Sequence, residues 1–153
     1  MTVNIVNSVF RSGEYEETLQ LLKDTGLFVT LRDAMTFSAV IGFREKRRKP
    51  LNSTHAKDDI QATVWNESIS LDLLFCLAVS ETKSAEILRA ENEKECIKIF
   101  EEYANGGLEL IQEWLDRYSD VSVEEAVWKG LRTIDFKQPQ TLAQNDDVIE
   151  PTF

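Results

Sequence analysis

The chain has 153 residues and a net charge of −10, and 42% of its residues are hydrophobic. That length and composition predict one domain whose core needs neither disulfides nor a metal ion. No apolar run approaches the roughly 20 residues of a membrane-spanning helix, and the first residues lack a signal-peptide pattern, so a cytoplasmic protein is predicted. The two cysteines, Cys76 and Cys96, lie outside any CxxC motif, and we expect both to be buried, reduced thiols.

The charge is distributed unevenly along the chain. Residues 1–57 hold nine Lys or Arg against six Asp or Glu, a net charge of +3, whereas residues 58–153 hold eight against twenty-one, a net charge of −13. Proteins bind free DNA mainly through a broad basic face that neutralises phosphates. Most of this surface should therefore repel free DNA, although a local basic segment could still contact a nucleic acid or an acidic protein.

The first two helices are predicted from residue spacing and from their end signals. Residues 14–24 place apolar side chains at helical intervals, and Gly26 follows them as a stop signal. A second helix should begin at Leu31, because Thr30 and Asp33 form a capping box. Its apolar residues cover more than one face, so we expect this helix to lie in the core. The predicted core combines four of its residues with four from later helices: Met35, Phe37, Val40, Ile41, Leu74, Phe75, Phe100 and Ile111.

A dense group of cations follows this core helix and is the strongest candidate site in the sequence. We call it the basic segment, and it consists of Arg44, Lys46, Arg47, Arg48 and Lys49. A helix C-terminus carries partial negative charge, which accounts for one or two of these cations. The others must stay solvated or meet an anion. The segment is therefore a solvated turn, a surface for an acidic protein or a phosphate-binding surface, with the arginines contributing most in the last two cases.

The part of the chain after the basic segment starts with a polar loop. Residues 51–59 are rich in turn formers, and His55, which has no set of metal ligands near it in sequence, should be a surface histidine there. Residues 60–65 fit either one short strand or an extended packing segment. Ser70 is a plausible cap for a helix over residues 70–80, which is apolar on nearly all sides and should be buried.

The acidic C-terminal part predicts more helices and then a tail. Residues 84–118 carry one apolar stripe that fits one or two helices, and Gly106 and Gly107 interrupt it. These glycines indicate either a close approach of another backbone or a bend. Ser122 with Glu125 forms a capping box for a last helix. The fold class predicted overall is mainly α, a compact single-domain bundle of about five or six helices.

Residues 136–153 have two prolines, polar runs and no periodicity, so they predict an extended tail after a helical domain over residues 1–135. Val148, Ile149 and Phe153 could dock in a groove of this chain or of a partner. A mobile tail and a docked tail are both compatible with the sequence.

No catalytic motif stands out. The sequence has no GxSxG, no HExxH, no phosphate-binding loop and no dinucleotide fingerprint. A group of glutamates could supply metal ligands by chance, but a solvated helix face is the simpler interpretation; they are Glu91, Glu93, Glu95, Glu101 and Glu102. The sequence therefore favours a protein that is not an enzyme, and it predicts no metal and no cofactor.

Three strings are more specific than these patterns. They are LRDAMTFSAVIGFREKRRKPL at residues 31–51, LDLLFCLAVSETKSAEIL at residues 71–88 and IFEEYANGGLELIQEWL at residues 99–115. Over about residues 27–118 the chain resembles the family of DNA phosphorothioation-associated protein 4, whose genes lie beside the bacterial Dnd modification and restriction genes. The resemblance supplies no catalytic residue that could be carried over to this chain.

This resemblance implies a bacterial accessory protein of a DNA defence system, in which phosphorothioate marks separate self from foreign DNA. Together with the acidic body, it favours an adaptor that binds other proteins of a restriction-modification or phage-defence complex, with DNA contacted within that complex and no membrane involved. The alternatives are a DNA-binding regulator that uses the basic segment, a small metal-dependent nuclease, and an acidic DNA mimic that inhibits a DNA-binding protein.

Overall fold

The computed structural model describes residues 4–51 and 59–135, and its regular structure is helical. The helices are α1 (Glu16–Asp24), α2 (Leu31–Arg44), α3 (Ala62–Trp65), α4 (Ile69–Thr82), α5 (Glu93–Arg117) and α6 (Val123–Asp135). Short 3₁₀ turns lie at Gly13–Tyr15, Ala85–Leu88 and Ala90–Asn92. These six α-helices in the described part of the chain confirm the predicted mainly α-helical bundle.

The chain divides into two compact units, Met1–Gln112 and Glu113–Phe153, and α5 runs from the first into the second. His55 and the predicted tail over residues 136–153 lie outside the described residues. The predicted boundary between a helical domain and a tail therefore stays a prediction.

The predicted helix ends are built from local hydrogen bonds. The amide of Asp33 donates to the Thr30 hydroxyl (3.1 Å), and the amide of Glu125 donates to the Ser122 hydroxyl (3.2 Å). Gly26, just beyond α1, has φ +85°, a conformation that glycine adopts without steric cost. Local chemistry was enough to predict these three boundaries, because each one depends on residues at most three positions apart.

Residues 60–65 do not form the strand that was one of the two predicted options. Ile60 makes a single antiparallel bridge to Val9, with N···O distances of 2.7 and 2.9 Å, and the chain then turns into α3. This turn places the buried Trp65 ring edge-on to the Phe100 ring, with 5.2 Å between the ring centres. Core packing of a tryptophan overrides the β-propensity of the segment.

The start of α4 also differs from the prediction, by two residues. Ser68 is the cap, and its hydroxyl accepts from the amide of Leu71 (3.2 Å). Ser70 lies inside the helix, where its buried hydroxyl donates to the Asp33 carboxylate of α2 (3.3 Å). The serine chosen from the sequence thus joins two helices instead of beginning one.

Glycines bring the backbones of α2 and α5 into direct contact. A Cβ atom on Gly107 would overlap the carbonyl oxygen of Ser38, and one on Gly42 would overlap the carbonyl oxygen of Tyr103. A Cβ on Gly106 would overlap the carbonyl oxygen of Arg47. Helix α5 runs through both of its glycines as one element. Of the two predicted alternatives, close backbone approach is therefore the correct one.

The predicted core is mostly buried, with three exceptions. Five of the eight predicted members are buried: Met35, Ile41, Leu74, Phe100 and Ile111. Phe37 and Phe75 are half-buried, and Val40 is 40% exposed. Val40 lies two residues from both Ser38 and Gly42, which places it on the face of α2 that points away from α5. Burial of Val40 was a wrong prediction.

Candidate partner-binding surface

The basic segment is a turn whose backbone is fixed to α5. The amide of Arg47 donates to the carbonyl of Gly42 (2.8 Å), which closes the end of α2. The amide of Lys49 donates to the carbonyl of Glu102 (3.0 Å). The side-chain amide of the buried Asn105 donates to the carbonyl of Lys49 (3.3 Å). These bonds set the position of the segment independently of its charged side chains.

Arg48 links α4 to α5. Its guanidinium donates to Glu81 of α4 (2.8 Å) and to Glu102 of α5 (2.7 Å). The hydroxyl of Tyr103 also donates to Glu81 (2.8 Å), and the guanidinium lies 5.8 Å from the centre of the Tyr103 ring. Burial, together with the hydrogen bond to Glu81, raises the pKa of Tyr103 to about 12. Arg48 is thus held by three side chains of its own protein.

Lys49 links the N-terminal part of the chain to α5. Its ammonium donates to Glu109 (2.8 Å), Glu14 (3.1 Å) and the hydroxyl of Tyr15 (2.6 Å). The bond to Glu109 is the main reason why the pKa of Lys49 lies above its ordinary value. The same bond is the main reason why the pKa of Glu109 lies below its ordinary value. Arg47 reaches the second oxygen of Glu109 at 3.5 Å.

Three of the five cations of the basic segment therefore meet carboxylates of this chain. Arg44 and Lys46 are exposed, and neither forms an ion pair with any residue in the ranges 4–51 and 59–135. The surplus of positive charge in the N-terminal part is largely matched by the acidic helix α5. Binding of a partner by the basic segment stays a prediction, and it now concerns Arg44 and Lys46.

Two glutamates of α5, Glu93 and Glu101, hold the N-terminal segment, so the predicted solvated face is wrong for them. Glu93 accepts hydrogen bonds from the amides of Val6 and Asn7 (2.9 Å each). Glu101 accepts one from the amide of Phe10 (2.6 Å). Among the described residues, no group of three or more His, Cys, Asp or Glu side chains is placed to hold a metal ion. These carboxylates instead satisfy backbone amides of a segment that lies outside regular secondary structure.

Glu101 makes the stability of the protein depend on pH. Burial raises the pKa of Glu101 to about 7 from the ordinary value of 4.5. Between these two values the folded protein binds the additional proton, so stability should fall as the pH rises through this window and level off above it. Glu101→Gln keeps an acceptor for the Phe10 amide but carries no charge. We expect it to stabilise the protein above pH 7 by on the order of 3 kcal/mol, because the pKa rises from 4.5 to about 7 and one pKa unit corresponds to about 1.4 kcal/mol.

Urea unfolding at several pH values checks this expectation. Glu95→Gln is a matched control for the removal of one carboxylate, because Glu95 is an exposed glutamate of the same helix. Parallel stability curves for the parent and for Glu101→Gln across this pH range would show that the burial of Glu101 has no such effect.

One face of α4 is apolar and exposed. Ile69 is 74% exposed, Leu73 is 39% exposed and Cys76 is exposed as well. They are spaced i, i+4, i+7 and so lie along one face of the helix; we call them the α4 stripe. Leu71, Leu74 and Ala78 lie on the opposite, buried face. Burial of Cys76 was a wrong prediction, because α4 is apolar on its solvent-facing side as well as on its core side.

The comparison with protein families identifies the chain. A family model described as DNA sulphur modification system-associated protein 4 matches residues 9–148. The chain belongs to this family. This match confirms the resemblance inferred over residues 27–118, and it covers additional residues on both sides of that range. A comparison with curated proteins gave no match, and neither did a comparison with solved structures.

The family description links associated protein 4 to a DNA sulphur modification system and specifies no reaction. Two of the three strings that carry the resemblance form the two sides of one contact. Residues 31–51 contain α2 and the basic segment, and residues 99–115 belong to α5. Within residues 4–51 and 59–135, no helix combines the length and the apolar composition that a membrane-spanning segment requires. The α4 stripe was missed from the sequence, although the apolar outer face of α4 was the signal for it.

Proposed function

We propose that this protein is an accessory subunit that binds another protein of a DNA sulphur modification system through the α4 stripe. The observation that carries the proposal is a helix with apolar residues on all sides and one face in solvent. Helices of that composition are normally buried, and contiguous exposed apolar residues are typical of interaction sites. Burial of the Ile69 and Leu73 side chains against a partner would contribute about 2–3 kcal/mol to the free energy of binding. Neighbouring residues must therefore supply the rest of the affinity.

Arg44 and Lys46 complete the proposed surface. Val40 and Arg44 are four residues apart and lie on one face of α2, and α2 packs beside α4. A surface that combines exposed apolar side chains with exposed cations is typical of protein interfaces and suits a partner with an apolar patch and an acidic rim. Direct DNA binding has less support, because phosphates would have to compete with Glu81, Glu102 and Glu109 for the paired cations. The same pairing weakens the DNA-mimic alternative, since part of the acidic surface is already neutralised.

Affinity purification from the native host, followed by mass spectrometry, tests the proposal. Ile69→Asp/Leu73→Asp should lower the recovery of the partner at least tenfold, since a loss of about 1.4 kcal/mol suffices for that factor. Arg44→Glu/Lys46→Glu should give a smaller, salt-dependent loss. The matched control is Leu21→Asp/Val29→Asp, which introduces two aspartates at an exposed leucine and an exposed valine outside the α4 stripe, 38% and 85% exposed.

The control should recover the partner as well as the parent does, and all variants should unfold at nearly the parent's temperature. Undiminished recovery by folded Ile69→Asp/Leu73→Asp would contradict the proposal. Salt-dependent binding of duplex DNA by the isolated protein, lost in Arg44→Glu/Lys46→Glu, would favour the DNA-binding alternative instead.

A further inference from the structure

Helix α6 exposes a tryptophan beside two cations. Trp128 is 60% exposed, whereas Trp65 and Trp114 are buried. With Glu125, Lys129 and Arg132 it lines a surface groove of about 330 Å³; we call it the Trp128 groove. A solvent-facing indole with adjacent positive charge is suited to a peptide that is both acidic and apolar.

The chain itself contains such a peptide. The 18 residues that follow α6 end in DDVIEPTF at residues 146–153, where three acidic side chains alternate with Val148, Ile149 and Phe153. The sign of the charge and the apolar content both complement the Trp128 groove. The family match extends to residue 148, thirteen residues beyond the end of α6, so this connection belongs to the part of the chain that the family model covers.

The connection is long enough for the segment to return to the groove. Thirteen residues can span at most about 43–47 Å. Along α6, Trp128 and Asp135 are separated by only about 10 Å, at 1.5 Å per residue. Tethering gives the segment an effective concentration on the order of millimolar, so a contact with a dissociation constant of about 0.1 mM would be formed for roughly nine-tenths of the time.

We propose that residues 146–153 dock on the Trp128 groove of the same chain. Val148 and Ile149 pack on the indole, and Asp146 and Asp147 pair with Lys129 and Arg132. The contact covers the apolar surface that α6 otherwise leaves in water. It is independent of the α4 stripe, so either proposal can fail without the other.

Acrylamide quenching of tryptophan fluorescence tests this contact in the full chain. The signal of Trp128 is obtained by subtracting the signal of the Trp128→Phe variant, and acrylamide is neutral, so changes of charge do not affect its approach. Ile149→Ser/Phe153→Ser should raise the quenching constant of Trp128 at least about twofold, because the docked state would no longer predominate. Lys129→Glu/Arg132→Glu should raise it as well. Adding Asp146→Lys/Asp147→Lys to that charge-reversed chain should restore the ion pairs with opposite signs and lower the quenching constant of Trp128 again.

Three outcomes would overturn the proposal. The first is equal quenching in the parent and in Ile149→Ser/Phe153→Ser. The second is a charge reversal that the complementary reversal fails to rescue. The third is protection of Trp128 that grows with protein concentration, which would assign the groove to a segment from a second copy. Protection that is constant over a wide range of protein concentration and is rescued by the double reversal supports docking within one chain.

Discussion

Gly107→Ala is expected to destabilise the protein by about 3 kcal/mol. At an ordinary position inside a helix, a change from glycine to alanine stabilises a protein by about 1 kcal/mol. The sign reverses because the new methyl group would overlap the carbonyl oxygen of Ser38 in the middle of α2. Ser38 is fully buried and lies next to Gly42, whose amide also faces Gly107. Neither backbone can move away without separating α2 from α5.

Gly106→Ala provides the comparison for this measurement. Its methyl group would overlap the carbonyl oxygen of Arg47. Arg47 lies in the turn after α2, which is hydrogen-bonded to α5 at Lys49 but is outside the hydrogen-bond ladder of a helix, so a shift there costs less than a shift at Ser38. We therefore expect a smaller loss for Gly106→Ala than for Gly107→Ala in urea unfolding. A Gly107→Ala protein at least as stable as the parent would contradict the close packing of α2 and α5.

Leu74→Asp is expected to leave the protein unfolded at 25 °C. Leu74 is fully buried, so the change removes a core side chain, at a cost of about 2–5 kcal/mol, and forces a carboxyl group without a partner into the apolar interior. The sum approaches the whole stability of a typical domain, about 5–15 kcal/mol. Met35→Asp, at another fully buried position, should have the same effect.

The neighbouring positions make the test specific. Leu73 is 39% exposed and Val40 is 40% exposed, so Leu73→Asp and Val40→Asp should give folded proteins with melting temperatures near that of the parent. Circular dichroism during heating distinguishes the two classes. A cooperative transition of Leu74→Asp at the parent's temperature would contradict the orientation of α4.

The features that could be predicted from the sequence are those set by neighbouring residues or by periodicity. The caps at Thr30 and Ser122 depend on hydrogen bonds across three residues, and Gly26 ends α1 by its own conformation. Gly107 could be recognised as a special position, because a glycine within an apolar helical stripe needs a reason. The identity of the opposing residue, Ser38, could not be predicted, since it depends on how two distant helices cross.

The candidate site shows the same limit more clearly. The density of positive charge after α2 was visible, but the carboxylates that meet it are Glu14 and Glu109 for Lys49, and Glu81 and Glu102 for Arg48. They come from separate parts of the chain and converge only in the folded protein. Counting charges along the sequence therefore overestimated how many cations are left for a partner.

The exposed face of α4 was overlooked for a related reason. A helix that is apolar on all sides is usually buried, and nothing in the sequence of α4 itself shows which side other helices cover. Only the packing of α2 against α4 decides that Leu74 points into the core while Ile69 and Cys76 face solvent. The exposed apolar side chains on that face, which lie beside the exposed Asp72 and Ser80, then become the strongest indication of a partner.

Alkylation of Cys76 tests the proposed partner contact most directly, because this thiol lies within the α4 stripe. Cys96 is an internal reference: it is buried, its thiol donates to the carbonyl of Ile87 (3.0 Å), and burial raises its pKa to about 11, so it should react slowly in any state. In the isolated protein we expect rapid alkylation of Cys76, and in the complex purified from the host we expect Cys76 to be protected. Alkylation of Cys76 at the same rate in the complex and in the isolated protein would contradict a partner bound to the α4 stripe.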